Sequence, residues 1–232
     1  MRKLIGLSLI LALFLPAIAH AQGALLIVTI NTPDTPAYLS WVENSAPVMA
    51  NAFDRAGAIG ACVPAQGAER EGNAYWFSTA ASHESLFSGD ATNPTVANEI
   101  AKVESIRDVH NRDLLTVLKA GNALEAGTTW AAWNLLIKTS DPTGYVEAIG
   151  GLEAASHDNG FTDITLSAFR YNTGERAGLL MASVSAPNPQ RLGALLDALA
   201  EPWAAERLTR LNGMREYVHG WTLNCRVYAA HP

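Results

Sequence analysis

The stretch that decides the fold is Leu25-Leu-Ile-Val-Thr-Ile-Asn-Thr-Pro-Asp-Thr-Pro-Ala-Tyr-Leu39, an apolar run followed by a Pro-Asp turn and a tyrosine. The same order returns in the second half of the chain as Asn134-Leu-Leu-Ile-Lys-Thr-Ser-Asp-Pro-Thr-Gly-Tyr-Val146. A repeat of about 100 residues is too long for a solenoid unit and has the size of a small domain. The repeat therefore predicts two similar domains related by a pseudo-twofold axis.

The N-terminus has the pattern of a secretory signal peptide. Arg2 and Lys3 precede an apolar stretch over residues 4–15, and small residues at positions 19 and 21 suit cleavage before Gln22. The alternative, a retained anchor helix, is disfavoured because the stretch is shorter than the ~20 residues that span a bilayer. We expect residues 1–21 to be removed, leaving a periplasmic or secreted protein with no integral membrane segment.

Length and charge restrict the partners of the mature protein. The chain has 232 residues and a formal net charge of -6, and it contains no run of basic residues that would favour nucleic acid or an anionic membrane surface. The length allows two small domains, predicted at residues 22–122 and 123–232. The expected partner is a small molecule that is neutral, apolar or cationic, and homo-oligomerisation stays open.

Each copy of the repeat predicts the element order β-α-β-β-α-β. The apolar run at 24–30 is typical of a strand covered on both faces, and the helical spacing of apolar residues after Pro36 predicts a helix that ends near Ala56. The remaining predicted elements of the first copy are strands at 59–63, 74–79 and 114–118 and a helix at 95–108. Those of the second copy are strands at 130–137, 164–170, 179–185 and 223–229 and helices at 142–157 and 189–214, the latter interrupted at Pro202.

This order is that of the split βαβ unit, a four-stranded antiparallel sheet with both helices on one face. The other face of each sheet is too apolar to stay in water, so two such faces should pack together. The chain thus resembles the dimeric α/β barrel superfamily, which includes antibiotic-biosynthesis-type monooxygenases, stress-responsive barrel proteins and haem-degrading enzymes. The resemblance implies an α+β fold of two fused ferredoxin-like units that pack sheet to sheet as a pseudo-dimeric α/β barrel.

Cys62 and Cys225 are the two cysteines of the chain. In an oxidising compartment they could form a disulfide, and the alternative is two buried free thiols. The resemblance implies that barrels of this kind close by placing the second strand of one half beside the fourth strand of the other. Cys62 lies on the second strand of the first copy and Cys225 on the fourth strand of the second, so a disulfide would join the halves there.

Common catalytic signatures are missing from the sequence. It contains no Gly-X-Ser-X-Gly elbow, zinc-binding His-Glu-X-X-His helix, phosphate-binding glycine loop or Cys-X-X-Cys pair. No histidine pair has clear metal-ligand spacing, so we expect no metal site. Asp34 and Asp141 recur before helices and are interpreted as N-caps. His110 and His219 recur before the last strands, where holding a corner by hydrogen bonds is favoured over acid-base work.

The haem-degrading members of the superfamily offer a sharper comparison. They use an asparagine on the first strand, a tryptophan on the second helix and, about ten residues later, a histidine that binds iron. Asn134 and Trp203 match the first two, but Asn212 and Gly213 stand where the histidine would be. We therefore predict no cofactor. In a cofactor-independent monooxygenase of this kind, Asn134 would orient substrate or an oxyanion, Trp203 would shape the pocket and His219 would exchange protons.

Aromatic residues concentrate on or beside the predicted strands. Trp76, Trp130 and Trp203 could fill the core or line a pocket with Asn134. The sequence favours an exported protein that binds a small apolar or aromatic molecule in a cavity between the two repeats. The alternatives are a cofactor-independent oxygenase and a purely structural module with a filled interior.

Overall fold

A computed structural model describes residues 23–53, 57–89 and 92–231. The predicted signal peptide and the predicted helix end at Ala56 lie outside these residues. Within them the chain forms eight strands, six α-helices and a 3-10 helix at Glu104–Ile106. The strands are β1 (Ala24–Asn31), β2 (Gly57–Gln66), β3 (Asn73–Ala80), β4 (Asp108–Lys119), β5 (Thr129–Lys138), β6 (Thr165–Tyr171), β7 (Leu180–Ala186) and β8 (Glu216–His231). The helices are α1 (Thr35–Phe53), α2 (His83–Ser88), α3 (Pro94–Ala101), α4 (Pro142–Asp158), α5 (Pro189–Ala198) and α6 (Pro202–Met214).

The strands form one closed antiparallel barrel in the order β1-β3-β2-β8-β5-β7-β6-β4, and β4 pairs with β1 to complete it. The second strand, β2, lies beside the last, β8, and the sixth, β6, lies beside β4. These are the two neighbour pairs expected from the resemblance. Closure leaves no open sheet edge in the barrel, which removes the unpaired backbone groups that a free edge exposes. The expected α+β class and the closed antiparallel barrel are confirmed.

The alternation of side chains along β1 explains why its whole sequence is apolar. Leu25 and Ile27 face the barrel interior, where they join a cluster with Phe77, Leu115 and Val227. Val28 and Ile30 belong instead to the cluster beneath α1, which includes Tyr38, Val42 and Met49. In the second half of the chain, a third cluster joins the outer faces of β5, β6 and β7 to α4, α5 and α6. Strand β1 is therefore covered on both faces, as its sequence predicts.

The structure differs from the prediction at the starts of two strands, β4 and β8, where the first residues are polar. β4 begins at Asp108 rather than at residue 114, and β8 begins at Glu216 rather than at residue 223. The polar first half of β4 pairs with the end of β1, up to the Asn31–Asp108 pair. Backbone hydrogen bonds to neighbouring strands extend these strands beyond their apolar runs. Helix α2, in a segment interpreted as loop, is short and begins at the N-cap Ser82.

The disulfide is present. Cys62 and Cys225 face each other across the β2–β8 pair, and their sulfur atoms are bonded. The bond closes a loop with a sequence separation of 163 residues. In the chain-entropy model a loop of this length gives about 5 kcal/mol as an upper value.

We expect reduction of this bond to lower the free energy of unfolding by about 2–5 kcal/mol, because the unfolded chain regains the conformations that the cross-link excludes. Urea unfolding of the oxidised and reduced protein measures the difference. The double variant Cys62→Ala, Cys225→Ala serves as the control and should unfold alike with and without reductant. Equal midpoints for the oxidised and reduced wild-type protein would contradict the expectation.

The two repeated aspartates cap helices, as predicted. The Oδ1 atom of Asp34 accepts a hydrogen bond of 3.0 Å from the backbone N–H of Ala37, and that of Asp141 accepts one of 2.9 Å from Gly144. Each aspartate N–H in turn donates to the hydroxyl of a threonine two residues earlier, at 3.1 Å in both cases. The capping interpretation therefore explains the recurrence of both residues.

Replacing Asp141 by alanine should lower stability by about 1 kcal/mol, because the first turn of α4 loses an acceptor for one of its N–H groups. Asp141→Asn keeps the acceptor and should retain most of that stability. Asp158→Ala, at the other end of α4, is the control and should cause no comparable loss, since an anion is unfavourable there. Chemical unfolding of the three variants tests this, and equal losses for Asp141→Ala and Asp158→Ala would count against capping.

Candidate functional site

An apolar cavity of about 310 Å3 lies between the outer face of the barrel and the helices of the second half of the chain. We call it the lateral cavity. Its strand side is formed by Trp133, Leu135, Leu166 and Val184, and its helix side by Ile149, Leu152, Leu195, Leu208 and Leu211. Most of these side chains also belong to the second-half core. The volume lies within the range of small-molecule pockets, which are mostly apolar with a few polar groups.

Helical and strand periodicity produce this lining. Tyr145, Ile149, Leu152 and Ser156 on α4 follow the spacing of one helix face, and all four line the lateral cavity. On β5, side chains alternate between the two faces of the sheet, so that Trp133 and Leu135 point toward the helices. Residues 133–156 therefore contribute to both the strand side and the helix side of the cavity.

One end of the lateral cavity is polar, at the junction of α6 and β8. The Nη1 atom of Arg215 donates a hydrogen bond of 3.0 Å to the hydroxyl of Tyr145, and Nη2 donates one of 2.9 Å to Oδ1 of Asn212. Nη2 also donates to the hydroxyl of Tyr217, whose ring centroid lies 4.4 Å from the guanidinium carbon. We call Tyr145, Asn212, Arg215 and Tyr217 the polar rim.

The polar rim carries a positive charge that neutral groups surround. No carboxylate of residues 23–53, 57–89 or 92–231 forms an ion pair with Arg215. Its Nε atom is buried and has no hydrogen-bond partner among these residues. Burial raises the pKa of the Tyr145 phenol, and the nearby guanidinium opposes that shift. Tyr145 is thus a neutral hydrogen-bonding group, and Arg215 offers N–H donors toward an anion or a carbonyl oxygen.

Two of the three predicted pocket tryptophans, Trp76 and Trp203, lie on the helix side of the barrel and away from its interior. Trp76 packs in the core beneath α1. Trp203 lies on α6, where its Nε1 donates to Glu201 at 3.0 Å and its ring lies 6.5 Å from that of Phe161. Neither residue lines the lateral cavity.

Asn134, Trp130 and His219 face the barrel interior instead. The amide nitrogen of Asn134 has only the sulfur of Met181 as acceptor, at 3.6 Å, and its oxygen has no partner in the described part of the chain. The ring of Trp130 meets that of Phe77 edge to face at 5.9 Å. Trp130 lies near one end of β5, and His219 pairs with Leu136 near the other end. The structure therefore does not bring Asn134 together with Trp203.

His219 forms a hydrogen bond that joins β8 to the loop between β2 and β3, which agrees with the structural role favoured by the sequence. Its Nε2 atom lies 2.8 Å from the backbone oxygen of Gly67, and its ring stacks on Trp221 at 5.2 Å. Large side chains such as Tyr75, Tyr171, Met181 and Trp221 fill much of the barrel interior. This filling explains why the apolar cavity lies beside the barrel, whereas the sequence led us to expect it between the two repeats.

The polar rim was missed in the sequence, although one signal pointed to it. Arg107 stands before β4 as Arg215 stands before β8. The charge of the Arg107 guanidinium acts on the phenol of Tyr38, the counterpart of Tyr145, although the Tyr38 hydroxyl has no hydrogen-bond partner among the described residues. A repeated arginine that follows a repeated tyrosine could have marked the pair in each copy.

The described residues contain no group of three or more histidine, cysteine, aspartate or glutamate side chains placed to hold a metal ion. None of their helices combines the length and the apolar character needed to cross a bilayer.

No protein-family profile matches the chain, and no curated protein matches it. Solved structures do. A candidate monooxygenase from Lactobacillus acidophilus superposes with a TM-score of 0.64 at 10% identity, covering 90% of this chain and 98% of its own. A candidate monooxygenase from Fusobacterium nucleatum gives 0.59 at 10% identity, over 90% and 94%.

An anthrone oxidase-like protein gives a TM-score of 0.56 at 14% identity, over 89% of this chain and 94% of its own. At these identities the likeness concerns the fold alone. The chain shares with these three structures the fold of a closed antiparallel barrel flanked by helices.

Proposed function

We propose that the protein binds a small apolar or aromatic molecule in the lateral cavity, with a polar or anionic group of that molecule at Arg215. The observation that carries the proposal is the polar rim: a guanidinium without a carboxylate partner in the described ranges stands at the end of an apolar cavity. The apolar walls would remove the ligand body from water, and the guanidinium would fix its orientation.

The proposal includes export to the periplasm or outside the cell. The predicted signal peptide at residues 1–21 supports it, and so does the disulfide, because such bonds persist mainly in oxidising compartments. No cofactor is part of this proposal.

We also propose that the two halves, residues 22–122 and 123–232, are fused ferredoxin-like units that arose by duplication. The strand orders β4-β1-β3-β2 and β8-β5-β7-β6 are the same when the second half is renumbered. The repeated caps Asp34 and Asp141 and the repeated buried tyrosines Tyr38 and Tyr145 give further support. The proposed boundary falls in the exposed segment between β4 and β5.

A second candidate function is a cofactor-independent oxygenase. The fold likeness to proteins described as candidate monooxygenases and as anthrone oxidase-like supports it. In the lateral cavity, Arg215 would stabilise the enolate form of an aromatic ketone, which dioxygen could then oxidise. Asn134 and His219, the sequence-based catalytic candidates, face the barrel interior and would serve such a reaction only if the substrate bound there.

The binding proposal predicts that 2-naphthoate binds the protein and that Arg215→Met weakens binding at least tenfold, about 1.4 kcal/mol, because the carboxylate loses its cation. Titration calorimetry measures the affinity, and naphthalene-2-methanol, which is uncharged, should show little dependence on Arg215. Arg207→Met on the exposed side of α6 is the matched control and should bind like wild type. Equal affinities of the wild type, Arg215→Met and Arg207→Met for 2-naphthoate would contradict the proposal. Ala182→Leu narrows the cavity, and unchanged binding in that variant would also contradict the proposal.

The oxygenase candidate predicts that the protein accelerates oxidation of anthrone, with one dioxygen consumed for each anthraquinone and water formed. An oxygen electrode and the quinone absorbance measure both sides of this balance. Loss of turnover in Arg215→Met with retention in Asn134→Ala would place the reaction in the lateral cavity, and the reverse result would place it in the barrel interior. Rates equal to the protein-free reaction would rule the activity out for this substrate.

A further inference from the structure

A second cavity, of about 550 Å3, lies at one end of the barrel. It is found where β1 ends and where β4 and β8 begin, and the β2–β3 and β6–β7 loops border it. We call it the polar basin. Thr29, Glu69, Asp113, Glu175, Arg176 and His219 are among the side chains that line it. Its lining is charged and polar, which separates it chemically from the lateral cavity.

Two nearly inaccessible polar side chains form part of the wall of the polar basin. Thr29 is 1% exposed and Asp113 is 2% exposed. Neither the Oγ1 atom of Thr29 nor the Oδ2 atom of Asp113 has a hydrogen-bond partner among the residues that the structure describes. Buried polar atoms normally find partners, because water no longer satisfies them. Both residues line a space large enough for a ligand, and both atoms can accept hydrogen bonds.

The carboxylate of Asp113 is incompletely neutralised by its neighbours. Its Oδ2 atom lies 3.7 Å from Nη1 of Arg176, which is an ion pair but beyond hydrogen-bond distance. The same guanidinium donates a closer contact to Glu69 and lies over the ring of Tyr171. Burial raises the pKa of Asp113, and Arg176 opposes this shift. Because Arg176 pairs with both Glu69 and Asp113, its single positive charge does not neutralise both carboxylates. A further cation beside Asp113 would balance the remaining negative charge.

The charges around the basin favour a cation over an anion. Three carboxylates, those of Glu69, Asp113 and Glu175, line it with two guanidinium groups, those of Arg70 and Arg176. His219 also lines the basin, where its Nε2 donates to the Gly67 carbonyl. An anionic ligand would stand beside an excess of carboxylates. A neutral polyol could bond to the free acceptors but would leave the Asp113 charge as it is.

We propose that the polar basin binds a small hydrophilic molecule with a primary ammonium group, whose N–H groups donate to Asp113 Oδ2 and Thr29 Oγ1. Thr29 lies opposite Asn111 and Asp113 lies opposite Ile27, so the two acceptors are diagonal neighbours on the adjacent strands β1 and β4. An ammonium is compact and offers three donors, which suits two acceptors placed in this way. Hydroxyl groups on the rest of the molecule would meet the polar side chains nearer the mouth. This site is independent of the lateral cavity and would stand if the ligand proposed there were wrong.

Glucamine and sorbitol test the proposal, because they share a hydroxylated six-carbon chain and differ in one ammonium group. We expect calorimetric titration of the oxidised protein at about pH 7, where a primary amine is protonated, to show glucamine binding at least tenfold tighter than sorbitol. Asp113→Asn should remove this preference. Asp197→Asn, which removes an exposed charge on α5, is the matched control and should keep it. Equal binding of the two probes, or no binding of either, would overturn the proposal.

Thr29→Val provides a second test of glucamine binding, in a variant that we expect to remain folded. The Thr29 hydroxyl has no partner among the described residues, so valine, which has a similar shape, should leave the unfolding midpoint unchanged or raise it. The same variant should weaken glucamine binding several-fold, since the ammonium loses one acceptor. Unchanged glucamine affinity in Thr29→Val would contradict the site. Arg215→Met should bind glucamine like wild type, which separates this result from the outcome for the lateral cavity.

Discussion

Closure of the barrel is the constraint on which the rest of the structure depends. A four-stranded sheet with helices on one face leaves two free edges and one apolar face, and both are unfavourable in water. Pairing β2 with β8 and β4 with β6 removes all four edges at once, and it turns the two apolar faces toward each other. The cross-link between Cys62 and Cys225 lies within one of these two pairings.

The filled interior decides where ligands could bind. Aromatic and sulfur-containing side chains occupy the middle of the barrel, so space remains at one barrel end and outside the sheet beneath the second set of helices. These two spaces have opposite chemistry. The lateral cavity is apolar with one cation, whereas the polar basin has more carboxylates than guanidinium groups. A single sheet thus separates two environments that suit different molecules.

The sequence predicted the elements and the barrel because both depend on periodicity and on a repeat. Apolar runs such as Ala24 to Ile30 predict strands covered on both faces, and the recurrence of Asp34 as Asp141 predicts paired helix starts. The polar starts of β4 and β8 escaped prediction, because those residues join the barrel through backbone hydrogen bonds to neighbouring strands. The amino-acid composition of a segment does not show with which distant strand it pairs.

The candidate site was harder to predict than the fold. Strand alternation correctly separates Trp133 from Asn134, but it cannot tell which face of the sheet holds an open space, since that depends on the volumes of side chains from several distant strands. Trp76 and Trp203 were natural pocket candidates by composition, yet both pack against helices. Arg215 was overlooked because a lone arginine at a strand start resembles a solvated charge; its significance comes from Tyr145, far away in sequence.

The segment that joins β4 to β5, residues 120–128, is mostly exposed and has little regular structure, although Leu124 packs against the interior cluster. It is a natural place for a protease to cut, since such enzymes need accessible backbone. A cut there would not release two fragments. The sulfur–sulfur bond would tether them covalently, and the strand pairs β2–β8 and β4–β6 would keep them in register, so a nicked molecule would survive as one particle in a protease-rich environment.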